Sequence, residues 1–66
     1  MSTRSTISTG DQEALRILLE PKYMEDLSER ELEFVEDLKT RLGAGQTTWT
    51  LPQEDWFNRI WQRVMA

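Results

Sequence analysis

Two complete helix-start signals, Ser28-x-x-Glu31 and Thr50-x-x-Gln53, constrain this 66-residue chain more than any other feature. In each, the hydroxyl accepts the backbone N–H three residues on, and the acid or amide there reaches back to the cap's own N–H. Leu27 and Leu32 bracket the first as a hydrophobic staple, and Pro52 sits in the first turn of the second, where a missing N–H costs nothing. Apolar residues then recur at helical spacing. Leu32, Phe34, Val35, Leu38 and Leu42 cover an arc of roughly 160°. Trp56, Phe57, Ile60, Trp61, Val64 and Met65 cover roughly 180°. The pattern predicts helices over 29–42 and 51–64, with Gly43 as the left-handed residue that ends the first and Ala44-Gly45 extending the break.

Upstream, Thr9 with Gln12, or Asp11 alone, offers a cap for a helix over 11–20 that presents Ala14, Leu15, Leu18 and Leu19 on one face. Pro21 stops that helix and suits the first position of a further turn, which makes Tyr23, Met24 and Leu27 the anchors of the connection. Residues 1–9 read as a disordered tail. Thr47–Leu51 alternates like a strand, but a lone strand has nothing to pair with, so the segment is read as loop. The expected fold is all-α, a small three-helix bundle forming one domain over 10–66. Its core is expected to hold Leu15, Leu18, Leu32, Val35, Leu38, Phe57, Ile60 and Val64.

A chain this short buries a modest core and commonly needs reinforcement. With no Cys and no His, disulfides, thiolate metal sites and the commonest general base are excluded. No stretch reaches the run of about 18 apolar residues that a membrane span requires. The N-terminus lacks the apolar centre of a secretory signal. These features predict a cytoplasmic protein with no cofactor and no metal.

The formal charge of −4 is concentrated in one segment, since residues 25–37 carry seven acids against Arg30. On the second predicted helix Glu29, Glu33, Glu36 and Asp37 fall within an arc of roughly 100°. Such a stripe is either a solvated helix face or a docking surface for a basic partner, whose association it would steer.

The combination Leu27-Ser28-x-x-Glu31-x-x-Phe34-Val35, a glycine break, then Thr50-x-x-Gln53-x-x-Trp56-Phe57-x-x-Ile60 resembles a capped two-helix pattern of small proteins and terminal modules in tailed-phage genomes. The match covers about residues 27–64. Trp49 stands where an aliphatic residue is usual and Pro52 where a lysine is common, so surface contacts do not carry over. The resemblance implies a phage or bacterial setting and a helical hairpin, with no catalytic residues.

Three tryptophans are many for this length, and Trp56 and Trp61 flank Ile60 on one helix. Either they form the core, or part of a face this broad stays exposed and marks an interface. Trp61 with Arg63 or Met65 is the expected contact, and self-association through it is one version. Direct nucleic-acid binding by Lys39, Arg41, Arg59 and Arg63 beside the tryptophans is the alternative, opposed by the acidic balance. Catalysis is not expected, because no phosphate loop and no nucleophile with a base is visible. The expected function is non-enzymatic: an accessory factor that binds a larger host or phage protein and modulates or inhibits it, through Glu29, Glu33, Glu36, Asp37, Trp56, Trp61 and Arg63. A nucleic-acid-handling machine with a basic groove is the expected target.

Overall fold

The computed structural model describes residues 4–66. Both capping boxes form. Ser28 Oγ accepts from Glu31 N–H at 3.3 Å and Glu31 Oε1 accepts from Ser28 N–H at 2.9 Å, opening a helix over Glu29–Gly43. Thr50 and Gln53 repeat the exchange at 3.3 and 2.9 Å and open the helix Leu51–Met65. The first helix starts earlier than predicted, over Thr9–Leu18, because Ser8 is the cap and accepts from Asp11 N–H at 3.1 Å. A single turn, Pro21–Met24, follows with proline at its first position.

Residues 4–9, expected as part of a tail, are ordered into the fold. Arg4–Thr6 form a strand that pairs antiparallel with a second strand, Thr48–Thr50, in the register Arg4↔Thr50, Ser5↔Trp49 and Thr6↔Thr48. The segment read as loop for want of a partner therefore finds it at the start of the chain. In chain order the elements are β1 (Arg4–Thr6), α1 (Thr9–Leu18), α2 (Pro21–Met24), α3 (Glu29–Gly43), β2 (Thr48–Thr50) and α4 (Leu51–Met65). The fold is mostly helical, with a small two-stranded sheet in place of a plain three-helix bundle. Of the tail predicted over 1–9, residues 1–3 lie outside the described residues.

Strand alternation explains what the ribbon contributes. Ser5 and Trp49 face inward, while Arg4, Thr6 and Thr48 face solvent. Trp49 is only 1% exposed and, with Phe57, is the largest fully buried side chain. Ile7, just past β1, is buried as well, and its N–H donates to Thr47 O at 2.7 Å. The core is Ile7, Leu15, Leu18, Val35, Leu38, Trp49, Phe57 and Ile60. Two predicted core members, Leu32 and Val64, are half-buried instead. Ile7 and Trp49 supply the apolar area that three short helices lack.

Gly43 is the last helical residue of α3 and not the left-handed one predicted. Ala44 is the C-cap, and the left-handed residue is Gly45 at φ 91°. Gln46 N–H donates to Arg41 O at 2.9 Å and Gly45 N–H to Leu42 O at 3.0 Å, the two bonds of a Schellman closure. Among the described residues no helix is long and apolar enough to cross a membrane.

Candidate functional site

The broad apolar face of α4 is divided by its neighbours. Phe57 and Ile60 point into the core, and Trp61 and Val64 pack half-buried against it. Trp56 lies at the edge of the buried arc and is 39% exposed. Its indole stacks on Phe34 of α3 with centroids 4.3 Å apart and planes 19° from parallel. One side of Trp56 is thus held by an aromatic neighbour, which fixes its orientation while leaving part of the ring to solvent. Leu51 and Met65 are also exposed, but at opposite ends of α4 and away from this edge.

Arg63, expected beside Trp61 as a contact residue, is engaged within the molecule. Its Nη1 donates to Glu31 Oε2 at 2.7 Å and its Nη2 to Glu31 Oε1 at 2.6 Å, with a further bond from Nη2 to Asp26 O at 3.2 Å. Glu31 is 8% exposed and also accepts from Ser28, so its carboxylate is fully satisfied. The Arg63 guanidinium holds the Glu31 carboxyl down at about 2, with the Ser28 bonds adding to the effect and burial opposing it. Glu31 in turn raises the affinity of Arg63 for its proton. This pair fastens α3 to α4 and is structural in its geometry.

The four stripe residues Glu29, Glu33, Glu36 and Asp37 are all exposed on α3. Asp37 accepts from Arg41 Nε at 2.9 Å, whereas Glu29, Glu33 and Glu36 have no ion-pair partner among the described residues. At about 100° per residue Asp37 lies roughly 60° from Phe34 around the helix and Glu33 roughly 100°, while Glu29 and Glu36 turn further away. Asp37 is the stripe residue nearest to Phe34 around the helix. No group of three or more carboxylates among the described residues is arranged to hold a metal ion.

On α3 and α4, Arg59 pairs with Asp55 at 3.0 Å, Arg41 with Asp37 and Arg63 with Glu31, while Arg30 and Lys39 have no ion-pair partner among the described residues. Sequence reasoning missed Glu54, in the first turn of α4. Its Oε2 accepts from Trp49 Nε1 at 3.1 Å and from Ser5 Oγ at 2.6 Å, joining β1, β2 and α4 at one oxygen. The available signal is Trp49 five residues before an acid, but it has meaning only once the strand is known. Comparison with protein-family models, curated proteins and solved structures returns no match.

Proposed function

We propose that this protein is a non-enzymatic binding module that docks on a larger protein through the Trp56 edge of α4. The observation that carries the reading is an indole oriented by Phe34 yet 39% exposed. The exposed carboxylates Glu29, Glu33, Glu36 and Asp37 lie on α3, the helix that carries Phe34, and their negative field favours a basic partner surface. Trp61 contributes indirectly, as a half-buried support, and Arg63 holds the two helices that present the edge.

In its finer form the partner is a phage or host protein with a basic groove, and the module modulates or inhibits it as an accessory factor in the cytoplasm. That setting is supported by the resemblance of the two capped helices to tailed-phage modules. A second copy of the chain is the competing occupant of the Trp56 edge.

The test compares affinity capture by the wild-type chain, Trp56→Ala and the double variant Glu33→Lys/Asp37→Lys, with light scattering on each. A protein retained by wild type and lost from both folded variants supports the reading. A wild-type dimer that Trp56→Ala dissociates assigns the edge to self-association. Capture unaffected by either variant sinks the proposal, and gain of nucleic-acid binding by the charge-reversed variant favours the nucleic-acid alternative.

A further inference from the structure

We propose that a second copy of this chain docks on the outer face of α3, forming a weak two-fold dimer on the side of the helix turned away from Trp56. A groove of about 540 Å³ lies between α3 and the α1–α2 region, lined by half-buried Leu19 and Met24 and by exposed Glu36, Lys39 and Thr40. Glu36 and Lys39 stand one turn apart on its rim. Neither side chain makes an ion pair or hydrogen bond with a described residue. An apolar floor edged by one unpaired charge of each sign complements itself. A copy turned about a two-fold axis brings its Lys39 to the first Glu36 and its Glu36 to the first Lys39.

The spacing of residues on α3 fits the same axis. At about 100° per residue Leu32, Glu36, Lys39 and Gly43 fall within roughly 60° of one another around the helix. They recur at intervals of four, three and four, the repeat of a seam between packed helices. In an antiparallel pair with its axis midway between Asp37 and Leu38, Glu36 faces Lys39 and Leu32 faces Gly43. Leu32 is half-buried, and the space over Gly43 is open, with no atom within 4 Å of a Cβ placed there. A leucine projecting over a glycine lets the two backbones approach closely.

Charge also selects the antiparallel sense. Glu29 and Glu33 occupy the first half of α3, and Lys39 and Arg41 the second. Antiparallel docking sets acidic half against basic half and opposes the helix dipoles, whereas parallel docking sets acid on acid. Glu36 lies roughly 160° around α3 from Phe34, so this contact goes beyond the docking of another protein at the Trp56 edge and does not depend on it.

Sedimentation equilibrium of the full chain from about 10 µM to about 1 mM should show reversible dimerisation. Glu36→Lys and Lys39→Glu, each confirmed as folded by circular dichroism, should each weaken it by about thirtyfold, because two attractive contacts turn repulsive at once. Mixing the two variants should restore a dimer containing one copy of each, since every facing pair is again opposite in sign. Trp56→Ala should leave the wild-type dimer intact. A chain monomeric over the whole range, a dimer indifferent to both reversals, or no association on mixing would each overturn the proposal. Dissociation by Trp56→Ala would overturn it as well, by moving self-association to α4.

Discussion

Arg63 and Glu31 form a two-point ion pair, with bonds of 2.7 and 2.6 Å, that ties the last turn of α4 to the first turn of α3. The same carboxylate closes the capping box of α3, so one acid serves both the start of a helix and the joint between two. The arginine is 54% exposed at its side chain, so solvent screens part of the attraction, and the buried carboxylate supplies most of the cost of breaking it.

That pair sets a pH dependence of known sign. The Glu31 carboxyl is held at about 2 in the folded chain against an ordinary value of 4.5, so the unfolded chain takes up the proton first. The stabilisation is complete above the ordinary value and disappears as pH falls towards the folded one. Chemical denaturation followed by circular dichroism should show wild-type stability declining through this window, and Glu31→Gln should flatten the decline. An identical slope in the variant would assign the acid sensitivity elsewhere. At neutral pH Arg63→Met should cost about 1.5–3 kcal/mol.

The N-terminal ribbon should prove indispensable. Ile7→Ala truncates a buried side chain and should cost about 2–5 kcal/mol, a large share of what a domain this size possesses. Ser5→Ala leaves Glu54 its bond from Trp49 and should cost only about 1 kcal/mol. Loss of the near-ultraviolet signal of Trp49 in the first variant and its retention in the second is the expected pattern. Equal, small effects would mean that β1 contributes little.

The three tryptophans should separate under collisional quenching. Trp56 is the exposed one, Trp61 is half-buried and Trp49 is enclosed. Trp56→Phe should remove most of the fluorescence that acrylamide quenches, at a stability cost below about 1.5 kcal/mol, the scale of one aromatic stack. Quenching unchanged by that substitution would place the accessible indole elsewhere and withdraw the proposed docking edge.

Two glycines near the end of α3 should respond with opposite sign. Gly45 adopts φ 91°, so Gly45→Ala should destabilise by about 1 kcal/mol. Gly43 is helical and a Cβ there meets nothing within 4 Å, so Gly43→Ala should stabilise by about 0.5–1 kcal/mol. Thermal midpoints of the two variants lying on the same side of wild type would contradict the assigned cap.

The helices were legible because their signals are local. Ser28-x-x-Glu31 and Thr50-x-x-Gln53 each specify a helix start within one turn, and both form. Near Thr9 several polar residues compete to cap α1, and the sequence does not rank Ser8 above them. The ribbon was hidden because three-residue strands carry almost no period, and because the partner of Trp49 is Ser5, far back along the chain. The stripe on α3 is exposed as its spacing implies. Arg63 reads as a surface contact until the approach of α3 to α4 sets Glu31 beneath it.

Because β1 pairs with Thr48–Thr50, Arg4–Thr6 cannot settle until β2 has been made. During synthesis α1 and α3 emerge with one side of their apolar surface bare, and Ile7 has no indole to lean on. Completion is therefore a late event that draws the two halves of the molecule together at once. A fusion that immobilises the leading residues interferes with that final closure rather than with any helix.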